Sequence, residues 1–149
     1  MVRNLISIYR DSFSGLSRNV WLLCLIMLIN RAGAMVLPFM TLYLTTELGF
    51  TLPQAGNVMA VYGIGSILGA YAGGQLSDRY GYYHVQLYSL TISAGLLLAL
   101  IFLTSYMAIL VTVFSFATIS DALRPANSVA IAAFSAPENR TRSFSLMRF

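Results

Sequence analysis

Four long apolar stretches, separated by short polar breaks, dominate the hydrophobic pattern of the chain. They cover about residues 20–45, 55–76, 84–104 and 107–136. A bilayer core about 30 Å thick needs about 20 apolar residues per helix, so each stretch is long enough to cross it. The sequence turns apolar once more at residues 143–147. The pattern therefore predicts an all-α membrane protein with four transmembrane helices and the start of a fifth.

Several residues predict where these helices begin, bend and end. Thr51 and Gln54 have the spacing of a helix N-cap and its capping box, at the start of the second span. Pro38 and Pro125 lie inside the first and fourth spans, where a proline removes a backbone hydrogen bond and bends the helix. The polar residues 77–83 predict a tight hairpin between the second and third spans.

Composition and charge agree with a membrane protein and exclude several other classes. Hydrophobic residues make up 58% of the chain and charged residues only 9%, far below the roughly 25% that is typical of soluble domains. The nine basic residues are all arginines, scattered between the apolar stretches, which does not suggest a nucleic-acid partner. Cys24 is the one cysteine, and no catalytic motif or metal-ligand cluster is present in the sequence. We therefore expect no enzyme activity, no metal and no cofactor.

The arginines also predict an orientation in the lipid bilayer. Four spans would place seven of them on one side of the membrane, namely Arg3, Arg10, Arg18, Arg79, Arg140, Arg142 and Arg148. The opposite loops, residues 46–54 and 105–106, contain none. Cytoplasmic loops carry the excess of arginine, so the N-terminus is predicted to be cytoplasmic. Residues 1–18 have an amphipathic helical pattern, which predicts an interfacial segment, with a partly disordered tail as the alternative.

Glycines recur at every fourth position in the second span. Gly65, Gly69 and Gly73 share one helix face, which thereby lacks side chains and lets another helix approach closely. The pattern predicts a packing face, and in a transporter such a face can also be a sliding surface.

Gly74 to Gly81 form the most specific motif of the chain. The segment reads Gly-Gln-Leu-Ser-Asp-Arg-Tyr-Gly and resembles the signature between the second and third helices of the major facilitator superfamily, G-x-x-x-D-R-x-G. That signature continues with two basic residues, which Tyr82 and Tyr83 replace here. Residues 124–127 and 137–140 resemble weaker motifs of the same superfamily.

The resemblance implies a bacterial inner-membrane transporter for a small-molecule solute. It implies two six-helix halves that rock about a central site, with this chain supplying part of the first half and the missing C-terminal helices or other membrane chains completing it. We expect the four spans alone to be inactive. Efflux and proton coupling are expectations by analogy. The conformational-switch residues that the resemblance implies are Gly74, Asp78, Arg79, Gly81 and Glu138.

Three ionisable residues lie deep within the predicted spans. Arg31 is in the first, and Asp121 and Arg124 are in the fourth. Each costs about 2.5–3.5 kcal/mol at the centre of a bilayer, so we expect them to face a cavity or one another. Asp121 and Arg124 are three residues apart and can form an ion pair. In the superfamily the first and fourth helices line the substrate cavity, which makes these three residues the substrate-site candidates.

Other interpretations of these features remain open at this point. Asp78 could be a turn residue that caps the third helix, and Asp121 and Arg124 could form a purely structural salt bridge. The chain could instead be a small multidrug-type transporter that works as an oligomer, or a non-transporting membrane assembly subunit. The buried charges argue against the last alternative, because an assembly subunit does not need them.

Overall fold

The computed structural model describes residues 18–134, and every regular element in that range is an α-helix. There are six helical segments in chain order: α1 Arg18–Ala34, α2 Val36–Thr46, α3 Leu52–Tyr80, α4 Tyr82–Leu100, α5 Tyr106–Asp121 and α6 Leu123–Phe134. The pairs α1–α2 and α5–α6 each form one interrupted span, so four helices in this range are long and apolar enough to cross a membrane. The predicted all-α membrane fold is confirmed. The interfacial segment, the fifth helix and Glu138 fall largely or wholly outside the described residues.

The interruptions expected from Pro38 and Pro125 are both present, and both lie on the N-terminal side of the proline. A proline has no N–H for the carbonyl four residues before it, and its ring also crowds that carbonyl. Four residues before Pro38 is Ala34, the last residue of α1, and four residues before Pro125 is Asp121, the last residue of α5. The two breaks thus have the same local cause.

The second span begins at the predicted capping box. The Gln54 N–H donates to Thr51 Oγ1 at 3.4 Å, and the Thr51 N–H donates to Gln54 Oε1 at 2.9 Å. Its other end differs from the prediction. Helix α3 continues through the polar residues 77–80, so that the connection to α4 is the single residue Gly81, with φ 79°. A fall in hydropathy marks where the helix reaches the polar boundary, whereas the backbone helix ends at the first residue in a left-handed conformation.

The third span is also displaced from the predicted boundaries. Helix α4 starts directly after Gly81 and ends at Leu100, four residues before the predicted end at Thr104. Beyond Leu100 the backbone continues in tighter turns, with N–H groups bonded three residues back, as from Leu103 to Leu100 at 3.3 Å. Apolar side chains therefore continue past the regular helix.

Helix α3 packs most extensively against α5, through its glycine face. A Cβ atom built on Gly65 would lie 2.7 Å from the carbonyl oxygen of Phe114, and one on Gly69 or Gly73 would overlap the backbone of Thr118 or Ala122 more closely still. All three glycines are buried. The two helices therefore approach at backbone distance, and Gly73 meets Ala122 at the break between α5 and α6.

Two apolar clusters hold the first span to the other three. One cluster joins α2, α3 and α5, through Met40, Leu44, Ala55, Val58, Ile109 and Val113. The other joins α1 and α6 through Leu23, Ala130 and Ile131, with Tyr82 packed against it. The middle of the first span borders an apolar cavity of about 670 Å³ that is also lined by the end of α4 and by part of the first cluster. The first span is thus fastened near its ends and loosely packed at its break.

Candidate functional site

Asp121 lies at the break of the fourth span and accepts two side-chain bonds. Its Oδ1 pairs with Arg124 Nε at 2.8 Å, and its Oδ2 accepts a hydrogen bond from Ser66 Oγ on α3. The residue is only 5% exposed, whereas 68% of the Arg124 side chain is exposed. The predicted ion pair is present. Ser66 was not predicted as a partner of Asp121. Its position next to Gly65, at the edge of the glycine face, was the available signal.

The two bonds to Asp121 outweigh the effect of the helix ends beside it. The residue is the last one of α5, whose C-terminal end disfavours a negative charge, and it lies just before α6, whose N-terminal end favours one. These opposed contributions are each about 0.3–1 kcal/mol. Hydrogen bonds to a charged group contribute about 1.5–3 kcal/mol each. Ser66 and Arg124 are therefore the main stabilising partners of the Asp121 side chain.

Arg31 lies in the last turn of α1, just before the break of the first span. It is exposed, and no ion pair to another residue is present for it within 18–134. The C-terminal end of α1 favours a positive charge, but only by about 0.3–1 kcal/mol. That is less than the cost of about 2.5–3.5 kcal/mol of placing arginine at a bilayer centre. Arg31 therefore needs water or an anionic partner from beyond the described residues.

Within residues 18–134 no ion pair joins Arg31 to Asp121, which pairs with Arg124. Helix α1 contacts α6 near Leu23, close to the start of the first span. Arg31 lies two helical turns after Leu23, in the turn before the first-span break, while Asp121 and Arg124 flank the fourth-span break.

Gln86 and Asn127 form a second buried polar pair that the sequence prediction missed. Gln86 Nε2 donates to Asn127 Oδ1 at 2.5 Å, which links α4 to α6. Asn127 is 1% exposed, and its Nδ2 has no hydrogen-bond partner within the described part of the chain. An amide in each of two spans was the available signal, because buried amides in apolar surroundings tend to pair.

The signature residues lie at the polar end of α3, where Asp78 and Arg79 are exposed. Neither has an ion pair with another residue of the range 18–134. Helix α4 has Gly81 as its N-cap and no side-chain capping bond, so Asp78 does not cap it. Gly74, one turn before Asp78, has open space where a Cβ would be. Gly74 and Asp78 thus share an uncovered side of the helix.

Glu138, the remaining switch residue, lies outside the described residues. His84 is exposed beside Gly81, with its Nδ1 3.1 Å from the Tyr80 carbonyl oxygen. Within 18–134 no group of three or more histidine, cysteine or acidic side chains is placed to hold a metal ion.

The family model described as Major Facilitator Superfamily matches residues 21–149 of the chain. The chain belongs to the major facilitator superfamily. No curated protein and no solved structure matches it. Membership in this superfamily supports solute transport across a membrane and implies a small-molecule substrate. The chain is thus a multi-pass membrane protein of a transporter family.

Proposed function

We propose that these four spans form part of a secondary transporter that exports a small-molecule solute by alternating access. The observation that carries the proposal is the buried Asp121 carboxylate that holds Arg124 within a membrane span of a superfamily member. A charged pair with its cation 68% exposed would be costly against lipid. A water-filled substrate cavity removes that cost. The proposal also includes proton coupling. It places the solute in the cavity that Arg124 faces.

The proposal includes partners for the four spans. Arg31 and Asp78 have no ion pair within 18–134, most of the Arg124 side chain is exposed, and the side of α3 at Gly74 is uncovered. Further helices, from the same polypeptide or another membrane chain, would cover them and complete the cavity. The four spans by themselves would not transport. This arrangement fits the superfamily better than a four-helix oligomer or an assembly subunit.

Asp78 is the proposed conformational switch, together with Gly74, Arg79, Gly81 and Glu138. Its charge sits in the last turn of α3, where the helix dipole disfavours it by about 0.3–1 kcal/mol. The N-terminal end of an approaching helix would compensate that cost in one conformation and not in the other. Asp78 would then bias the equilibrium between the two states of the transporter.

Transport by the complete protein in cells tests the proposal. Accumulation of a panel of labelled solutes would be compared between cells that express wild type, Asp78→Ala and Glu47→Gln. Glu47 is another exposed acid, at the end of α2, and serves as the matched control. We expect Asp78→Ala to abolish export of any solute that wild type exports, at equal membrane expression. Arg79→Lys should be milder, because the charge is kept while bidentate contacts are lost. Wild-type export by Asp78→Ala would contradict the switch.

Orientation and location are tested by labelling. In a background in which Cys24 is replaced by serine, Thr51→Cys should react with an impermeant maleimide in intact bacterial cells, and Thr141→Cys only after lysis. The expectation rests on the arginine distribution and on a cytoplasmic N-terminus in the inner membrane. The reverse labelling pattern would overturn it.

A further inference from the structure

The signature turn joins an exposed helix end to a packed one. The last turn of α3 carries Asp78 and Arg79, which are exposed and have no ion pair within residues 18–134. Helix α4 starts with Tyr82, which is half-buried, and only Gly81 lies between the two helices, with φ 79°. Because the connection is a single residue, the contacts that hold Tyr82 also fix one side of the turn.

The Tyr82 side chain contacts two other spans. It packs on the second apolar cluster, which is formed by Leu23 of α1 and by Ala130 and Ile131 of α6. Its ring also lies edge-on to Phe134, with the ring centroids 5.7 Å apart and the planes at 83°. Edge-to-face contact is a favourable geometry for two aromatic rings. The start of the third span therefore meets the start of the first span and the end of the fourth at one side chain.

A second contact, one helical turn further along α4, holds the same two helices together. Gln86 Nε2 donates to Asn127 Oδ1 at 2.5 Å, in a buried position. Tyr82 and Gln86 are four residues apart and share one face of α4. A helix that is held at two successive turns cannot pivot about either contact. The position of Tyr82 therefore follows that of α6.

The chemistry of this contact differs from that of the signature. Tyr82 stands where the superfamily signature has a basic residue, and the side chains that pack on it within 18–134 are all uncharged. A charged group would lose hydration among them without gaining an ion pair. Tyr83, at the second replaced position, is 63% exposed, with His84 as its ring neighbour. Only the first of the two tyrosines packs on other spans in the described part of the chain.

We propose that Tyr82 ties the signature turn to the first and fourth spans, and that it does so by packing of its ring rather than by charge. The proposal rests on the proposed function, since it names the link between the Asp78 switch and the two spans that carry the substrate-site candidates. A displacement of the turn moves the start of the first span and the end of the fourth, because all three pack on the same ring.

Two measurements on the purified full-length transporter in detergent test the link. The first is amide hydrogen exchange of the peptide that contains Gly81, whose N–H donates to the Ser77 carbonyl oxygen at 3.0 Å. The second is the rate at which N-ethylmaleimide modifies Cys24, which is half-buried beside Leu23. We expect both rates to rise about tenfold in Tyr82→Ala, because local opening becomes easier when a packed ring is removed.

Matched variants separate ring packing from charge and from a general loss of structure. Tyr82→Phe keeps the ring and should have wild-type rates. Tyr82→Arg restores the basic residue of the signature and should behave like Tyr82→Ala. Tyr83→Ala removes an equally large ring from the neighbouring exposed position and should change neither rate. The peptide at Thr51, at the opposite end of α3, is the internal control and should exchange as in wild type in every variant.

Several results would overturn the proposal. Wild-type rates in Tyr82→Ala or in Tyr82→Arg would show that the ring does not hold the turn. Acceleration of only one of the two measurements would show that the turn and the first span are not linked through Tyr82. Equal acceleration in Tyr83→Ala, or faster exchange at Thr51, would assign the effect to a general loosening of the fold.

Failure of this proposal is distinguishable from failure of the proposed function. Neither measurement requires a transported solute, while the Asp78 experiment measures export alone. Export that depends on Asp78, in a protein whose Tyr82→Ala variant has wild-type rates, would refute the Tyr82 link alone. Rates that depend on Tyr82, in a protein whose Asp78→Ala variant exports normally, would refute the proposed switch alone.

Discussion

The two proline breaks of this chain have the same backbone cause and opposite surroundings. In the fourth span, Gly73 packs on the backbone of Ala122, and Ser66 and Arg124 bind Asp121. In the first span, the break at Met35 borders an apolar cavity of about 670 Å³, and Arg31 has no ion pair within 18–134. A proline interrupts a helix, but its neighbours decide whether the interruption becomes a rigid site or a loose joint.

This difference has a consequence for how the two spans could take part in transport. In the fourth span, Ser66 of α3 holds Asp121, which in turn pairs with Arg124, so this span can present a preformed polar group. The first span is fastened through Leu23 at one end and through Met40 and Leu44 at the other, with little packing between. Elements with few buried contacts open at the lowest free energy. We therefore expect the first span to bend more readily than the fourth.

The largest expected effect comes from filling the contact at the fourth-span break. In Gly73→Ala the new Cβ would overlap the backbone of Ala122, and backbone atoms of two packed helices cannot move apart cheaply. We expect a loss of about 3 kcal/mol in unfolding free energy, measured by denaturation in detergent. Gly63→Ala is the control, since a Cβ there meets open space. Equal stability of the two variants would mean that the break is not tightly packed.

The buried amide pair gives the next largest effect. Asn127→Ala leaves the Gln86 amide buried without its partner, which should cost about 2 kcal/mol. Replacing both residues, as in Gln86→Leu with Asn127→Ala, removes the unpaired group and should recover most of the loss. A double-mutant cycle of thermal unfolding measures the coupling. Additive losses would show that the two amides stabilise the fold independently.

Replacing each proline by alanine should change the stability differently. Pro38→Ala restores an N–H for the Ala34 carbonyl at a joint where little packing opposes a straight helix, so stability should rise by about 1 kcal/mol. Pro125→Ala also restores an N–H, but straightening would displace Asp121 from Ser66 and Ala122 from Gly73. We expect stability to stay equal or fall. Thermal unfolding of the two variants tests this, and a rise in both would remove the proposed distinction.

The smallest effect is expected at Arg31. Arg31→Gln loses a helix-end interaction and also removes an unpaired charge, so the changes offset and stability should move by less than about 0.5 kcal/mol. Transport by the full-length protein should nevertheless weaken if the residue faces the substrate cavity. Thermal unfolding and solute accumulation, measured on the same variant, separate the two roles. A clear loss of stability with normal transport would assign Arg31 to the architecture.

Much of this protein was determined by its sequence alone. The lengths of the apolar stretches predicted the four spans, because a helix of about 20 apolar residues can cross a bilayer whatever it packs against. The capping box at Thr51, the two proline breaks and the ion pair of Asp121 with Arg124 are contacts within one or two helical turns. Local geometry fixes such contacts, so spacing along the chain is sufficient to predict them.

Only the tertiary structure decided which of these features meet. Ser66 reaches Asp121 across 55 positions of sequence, and Gln86 reaches Asn127 across 41. Neither pairing follows from periodicity, because the register between two helices is set by how their surfaces pack. The glycine face is what fixes that register here, since it brings α3 against the backbone of α5. The same packing made one proline break a buried polar site and left the other beside a cavity.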